Sequence, residues 1–315
     1  MFFRLGTRAS ALAQWQANWV ADRLRTLGHG VELVFVTTQG DKTQGATPDA
    51  TVQPIGATGP FGAFTKELQV ALLDGRIDLA VHSLKDLPTD FTEGLTIAAV
   101  PERASPFDVL VSRQSEPLDG LCDGAIVGTG SLRRRAQLLH YRPDLRMADI
   151  RGNVDTRLKK LRDGQFDALV LAEAGLSRLA LADQISQVLP PDILLPAVGQ
   201  GALGIEARTD DTATLAAIAT LDHADSRTAV FTERALLARL AGGCLAPIGA
   251  YCQKLADGQF RLKACVHSPD GKTCLHADQS AAAEQWAELA TSVAADLLAQ
   301  GASLLIEQAR SATGR

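Results

Sequence analysis

Two local plans occur twice in this chain, in the same order, and that repetition limits the fold more than any other feature. "LGTRAS" at residues 5–10 and "VGTGSL" at 127–132 each read as a strand running into a glycine–threonine turn and a helix start. "DGRIDLAV" at 74–81 and "DGQFDALV" at 163–170 each read as a helix end, a glycine turn and a buried strand. Short apolar runs alternating with longer amphipathic ones are the pattern of α/β layers. The expectation is two similar α/β lobes, the first over 1–101 and the second over 105–195. "LPAVGQGALGIEARTDD" (195–211) reads as a return segment, so the first lobe also takes in 198–221.

Within the first lobe, "ASALAQWQANWVADRLRTLG" (9–28) reads as a helix closed by Gly28, and "VELVFVTT" (31–38) as a strand. Residues 39–63 are rich in Gly, Pro and Thr without periodicity, the profile of a functional loop. From residue 224 the pattern changes. A helix (226–240) leads to three strands, "APIGAYCQKL", "QFRLKACVH" and "KTCLHADQ", which turn at Gly258 and at "SPDG". A closing helix over 281–302 completes a small α+β domain spanning 224–315.

A length of 315 residues exceeds one ordinary core, consistent with several domains. The net charge of −5 argues against a nucleic-acid binder driven by global electrostatics, so an anionic partner must meet a local basic patch. Arg4 and Arg8 interrupt the N-terminal apolar residues, so no secretory signal is expected. No uncharged apolar run reaches the length of a membrane helix. Five widely spaced cysteines point to a reducing compartment rather than a disulfide framework. The expected location is the cytoplasm.

The basic patch lies in "GTGSLRRRAQLLHYRPDLRMADIRGNVDTRLKKL" (128–161), which gathers Arg133, Arg134, Arg135, Arg151 and Arg157. Thr129 and Ser131 fall where a strand ends and a helix begins, a place that favours anions. Guanidinium forks there suit carboxylates. Arg8 and Ser10 make the matching arrangement in the first lobe. For any one of these residues a helix cap or a solvated face is an equal alternative; the whole set at two equivalent strand ends favours anion binding.

In "IDLAVHSLKDLP" (77–88), His82 and Ser83 are neighbours on a strand and face opposite ways, so they form no dyad. Asp86 falls just past the strand's C-terminal end, where open α/β sheets hold ligands. Pattern alone makes it either an ion-pair partner for arginines, the favoured option, or an acid–base group. In "CVHSPDGKTCLH" (265–276), a turn at Pro269 and Asp270 would put Cys265 opposite Cys274 and place His267 and His276 on the same face. Two sulfurs and two imidazoles suit zinc, but Cys-x-His is looser than the usual knuckle. The face is read as core, and no metal ligand is assigned.

One thiol remains conspicuous. Cys244 in "RLAGGCLAPIGAYC" (239–252) follows Gly242 and Gly243, which grant the backbone freedom that a buried structural cysteine does not need. "RLGTRASALA", "FTKELQVALLDGRIDLAVHSLKDLP", "VGTGSLRRRAQL", "IRGNVDTRL", "LPAVGQGALGIE" and "GGCLAPIG", in this order from Arg4 to about Tyr251, together resemble the porphobilinogen deaminase (hydroxymethylbilane synthase) family. The resemblance implies an α/β fold of two similar lobes, like type II periplasmic binding proteins, plus a small C-terminal α+β domain. It implies a transferase that condenses four porphobilinogen molecules into linear hydroxymethylbilane with release of ammonia, in tetrapyrrole biosynthesis.

By the same resemblance, Cys244 carries a dipyrromethane cofactor through a thioether, formed when the thiolate attacks an electron-poor azafulvene. Asp86 matches the catalytic aspartate. Lys85, Thr129, Ser131, Arg133 and Arg134 match cofactor contacts, and Arg8, Ser10, Arg151, Arg157, Arg178 and Phe64 match substrate contacts. Acetate and propionate groups on every ring explain a dense arginine patch in an acidic protein. The chain departs from the family at Phe61, near an expected loop lysine, at Gly130, where serine is common, and at Ala11, where proline is common. The implied partners are porphobilinogen alone, in a monomer that hands its product to the next pathway enzyme. The rival is a non-catalytic two-lobed protein that binds or senses a small anion. It fits the lobes and arginines but leaves the "GGC" loop and third domain without a role.

Overall fold

The computed structural model describes residues 1–36, 65–241 and 246–312. In chain order the first segment gives β1 (Phe2–Thr7), α1 (Ala11–Thr26), β2 (Gly30–Phe35), α2 (Lys66–Leu73), β3 (Leu79–Ser83) and β4 (Leu95–Ala99). Next come β5 (Asp108–Ser112), β6 (Ile126–Gly128), α3 (Leu132–Tyr141), β7 (Arg146–Ala148), α4 (Val154–Arg162), β8 (Ala168–Ala172), α5 (Glu173–Arg178) and β9 (Gln187–Leu189). The chain continues through β10 (Leu203–Arg208), α6 (Thr212–Ile218) and α7 (Ala224–Arg239). It ends in β11 (Ile248–Lys254), β12 (Phe260–His267), β13 (Cys274–Ala281), α8 (Trp286–Ala299) and α9 (Ala302–Ala312). These elements fall into two compact units, Met1–Arg103 with Ala202–Arg227, and Ala104–Gly201 with Thr228–Arg315.

The first unit is built on a five-stranded sheet in the order β2-β1-β3-β10-β4. β1 runs parallel to β2 and β3, whereas the return strand β10 is antiparallel to β3 and β4. Alternation along β3 decides its two faces: Leu79 and Val81 join the core under α1 with Phe3, Leu5 and Leu24, while Ala80 joins Leu68, Leu72 and Ile77 on the other side. Helix α1 presents Gln16, Ala17, Val20, Ala21 and Leu24 inward, a single stripe at helical spacing, and Ser10 caps its start.

The second unit contains two sheets. One has the order β7-β6-β8-β5-β9, with β6 parallel to β7 and β8, and β5 antiparallel to β8 and β9. This is the first unit's arrangement with β5 in the place of β10. The duplication read from the sequence extends to packing. A Cβ on Gly6 would stand 2.4 Å from Ile77 Cδ1, and one on Gly128 2.6 Å from Leu169 Cδ2. Both echoed glycines therefore leave room for an apolar side chain to cross the strand.

The other sheet is the antiparallel meander β11-β12-β13, covered by α8 and α9 through Leu289, Val293, Leu297, Leu305 and Ile306. Here two expectations need correction. The closing helix is two helices, broken at Gly301, whose φ of +102° ends the first. The hairpin register also differs: Cys265 pairs with His276 and His267 with Cys274, so the two sulfurs are diagonal rather than opposite. The turn is longer than Pro269 and Asp270, with Ser268 N–H donating to Thr273 O and Gly271 N–H to Ser268 O.

Among the described residues no single helix is long and apolar enough to cross a membrane. The last two helical segments would suffice together, but they bend by 78° and bury their apolar faces on the C-terminal sheet.

Candidate active site

In the first unit the parallel register, Leu5 with Leu79 and Gly6 with Ala80, brings the C-terminal ends of β1 and β3 to one edge of the sheet. Arg8 and Ser10 follow β1, and Lys85 and Asp86 follow β3 in a single 3-10 turn, Leu84–Asp86. Ser10 Oγ accepts the Ala13 N–H at 3.4 Å, so its hydroxyl caps α1. Gln16 Nε2 donates to Ser83 Oγ at 2.8 Å, tying α1 to the end of β3. Asp86 is half-buried, and its carboxylate has no hydrogen bond or ion pair among the described residues. No described residue engages it in the ion pair that pattern alone favours, and the carboxylate remains available for chemistry. His82 is apart from this edge. It is buried with Nε2 3.0 Å from Glu206 Oε2, and Gln69 Nε2 donates to Glu206 Oε1 at 2.9 Å. That cluster ties β3, β10 and α2 together.

In the second unit the equivalent edge is cationic. Thr129 is buried, its Oγ1 accepts the Ser131 N–H at 3.2 Å, and Ser131 Oγ accepts the Arg134 N–H at 3.5 Å. The strand end and helix start thus form the compact turn expected from "VGTGSL". Arg133 and Arg134 lie deeper than a solvated face would allow. Arg133 donates Nη2 to Asp108 Oδ2 at 2.7 Å and Nη1 to Leu195 O at 2.5 Å. Arg134 donates Nε and Nη2 to Asp108 Oδ1 at 3.0 and 2.7 Å, and Nη1 to Val170 O at 2.9 Å. Burial would raise the Asp108 carboxyl, but the charges of Arg133 and Arg134 outweigh it and hold the group at about 2.

One buried carboxylate facing two buried guanidiniums leaves a positive charge unanswered. Arg157 adds to it. Its Nε donates to Gly152 O at 2.8 Å, and burial together with the charges of Arg134 and Arg151 lowers it to about 10, with Asp149 opposing. Arg151 is exposed, 3.3 Å from Asp149. Arg178 at the end of α5 donates Nη2 to Gly201 O at 2.7 Å, and burial lowers it to about 10 as well. Four guanidiniums, of Arg133, Arg134, Arg151 and Arg157, thus share two carboxylates, Asp108 and Asp149. The cluster is built to take anions.

Asp108, which fixes both arginines, is the residue of this cluster that sequence reasoning missed. Its signal was an acid at the head of the apolar run "DVLVS" (108–112), because a buried carboxylate requires a partner. Gly130 also finds a local reason: a Cβ there would be 3.1 Å from Ile150 O and 3.2 Å from Asp149 Oδ1. Cys244 and Phe64, and Phe61 with the long loop, lie outside the described residues.

Comparison with known proteins shows the family. The family model of the porphobilinogen deaminase dipyromethane cofactor binding domain matches residues 3–216, and that of the C-terminal domain matches 227–299. The chain is 49% identical over 308 residues to the porphobilinogen deaminase of Pelotomaculum thermopropionicum, covering 97% of this chain and 96% of that one. It belongs to the porphobilinogen deaminase family. The porphobilinogen deaminase of Shouchella clausii is 47% identical over 310 residues, covering 98% and 97% of the two chains. Among solved structures, a methionine-binding protein aligns over 74% of this chain and 93% of its own length, at 15% identity and a TM-score of 0.42.

The matched family domain is named for binding a dipyromethane cofactor. An anionic pyrrole chain needs preorganised cations, and the Asp108–Arg133–Arg134 cluster with Arg157 has chemistry that fits such a group.

Proposed function

We propose that the second lobe of this porphobilinogen deaminase holds the oligoanion while the first lobe supplies the acid–base group, Asp86. The chain condenses four porphobilinogen molecules head to tail, with release of ammonia, into linear hydroxymethylbilane. The observations that carry the division of roles are made within each unit: the excess of guanidinium over carboxylate around Thr129, Ser131, Arg133, Arg134, Arg151 and Arg157 in the second, and in the first an Asp86 that is half-buried and unpaired among the described residues.

When bound through Cys244, the dipyrromethane supplies the pyrrole carbon to which the first substrate ring is joined. Arg133 and Arg134, already fixed by Asp108, meet its carboxylates with the N–H groups their internal bonds leave over. Arg151, Arg157 and Arg178 hold acetate and propionate groups of incoming and added rings, with Arg8 and Ser10 doing the same at the first lobe's strand ends. Asp86 accepts pyrrole N–H bonds, offsets the positive charge that develops as ammonia leaves the substrate, and moves the proton at the joining carbon. Lys85 and Phe64 flank the cofactor rings. The enzyme is a cytoplasmic monomer, takes no nucleic acid or membrane partner, and passes its product directly to the next enzyme.

Steady-state consumption of porphobilinogen by Asp86→Asn tests the central role. A fall of roughly 10²–10⁴-fold in kcat, with an unchanged circular dichroism spectrum, is expected for loss of a general acid–base group. Turnover within about twofold of wild type would remove Asp86 from the chemistry.

A further inference from the structure

The corrected hairpin register has a consequence outside the catalytic edge. It puts Cys274 directly across from His267, and the C-terminal turn of α3 adds His140 from the second lobe. One donor atom from each of His140, His267 and Cys274 lies within 4.8 Å of the others. The two imidazoles meet edge to face with centroids 5.2 Å apart. A cavity of about 330 Å³ opens here, lined by these three residues together with Cys265 and His276.

Three observations distinguish the cluster from ordinary core packing. His140 Nδ1–H donates to Gly271 O at 2.8 Å, which fixes the tautomer and leaves Nε2 with a free lone pair. This is the outer contact that metal-binding imidazoles commonly make. His267 is 4% exposed, and its Nδ1 is buried without a hydrogen-bond partner, a costly arrangement unless something binds there. The backbone is also locked around the site: Gly271 has a φ of +75°, and a Cβ there would stand 2.7 Å from Ala136 O and 2.8 Å from the His140 N. The hairpin tip therefore seats directly on α3.

We propose that His140, His267 and Cys274 bind one zinc-class divalent cation, which clamps the β12–β13 hairpin to the C-terminal end of α3. Two imidazoles and a thiolate select a borderline-soft metal over magnesium or calcium, which require oxygen ligands. Tetrahedral zinc needs donors about 3.3–3.8 Å apart, so the three side chains close by about 1 Å on binding, and solvent from the cavity takes the fourth position. Binding deprotonates Cys274 and releases that proton to the buffer. Because α3 is capped by Ser131 and carries Arg133 and Arg134, the clamp stiffens the helix that presents the arginines proposed to bind anions. The site is independent of turnover, and its test does not read activity.

The full-length protein as purified, stripped with a chelator, is titrated with zinc alone, and with cobalt(II) as a spectroscopic probe. One equivalent is expected, with a thiolate-to-cobalt charge-transfer band and a zinc-dependent rise in unfolding temperature. His140→Gln, at an exposed position, should weaken zinc by at least about ten- to a hundredfold. Cys274→Ser should abolish the sulfur band. Stoichiometry well below one overturns the proposal, and so does a zinc ion whose affinity survives both substitutions.

Discussion

The two lobes share a strand order and differ in what they place at its crossing. In the first, the antiparallel strand β10 carries Glu206, which meets His82 and Gln69 and serves the sheet itself. In the second, the equivalent strand β5 carries Asp108, which meets two arginines from the following helix and leaves them in electrostatic excess. The helix starts match through Ser10 and Ser131, yet where α3 has Arg133 and Arg134, α1 has Leu12 and Ala13. The reverse holds past the third strand of each plan. Counting from the paired residues Leu79 and Ala168, Asp86 corresponds to Gly175. On the function proposed above, a duplicated scaffold divides its labour: charge storage in one copy, proton handling in the other.

The largest effect that would sharpen this contrast is the loss of turnover expected for Asp86→Asn, described above; Gly175→Asp, which adds an acid to the other lobe, should not restore it. Next is stability. Asp108→Asn strands two buried guanidiniums and should cost about 3–5 kcal/mol in urea unfolding. Glu206→Gln, which loses only hydrogen bonds in the first lobe, should cost about 1–3 kcal/mol. Equal losses would erase the difference between the crossings.

The same contrast has a pH signature. Asp108 is held at about 2, below its ordinary 3.8, so its contribution is complete above pH 3.8 and is lost as pH falls toward 2. That contribution is on the order of 2 kcal/mol. Unfolding midpoints measured from pH 5 to pH 2 should fall less steeply in Asp108→Asn than in wild type. Smaller still are the rim effects on substrate. Arg157→Gln, at a half-buried position, should raise KM by roughly ten- to a hundredfold. Arg151→Gln, 82% exposed, should raise it less than about fivefold, and less again in high salt.

Much of this was legible before any coordinates. The repeated "GT" and "DG" turns pointed to the two lobes, because a strand running into a helix start and a positive-φ glycine are local properties. The return of β10 to the first sheet was readable from its apolar run. The role of Asp108 was not, since it depends on partners 25 and 26 residues away. Nor was the pairing of His267 with Cys274, because a turn two residues longer than assumed shifts the register along the whole hairpin. Asp86 lay between these cases: its position past β3 was legible, but its lack of a salt-bridge partner among the described residues required the fold.

The division of labour presupposes an oligoanion tethered at Cys244, and the intact mass of the denatured protein tests that most directly. Active wild-type protein should carry the added mass of two linked pyrrole units with their acetate and propionate groups, and Cys244→Ala should carry none. An unmodified mass in a fully active preparation would contradict it.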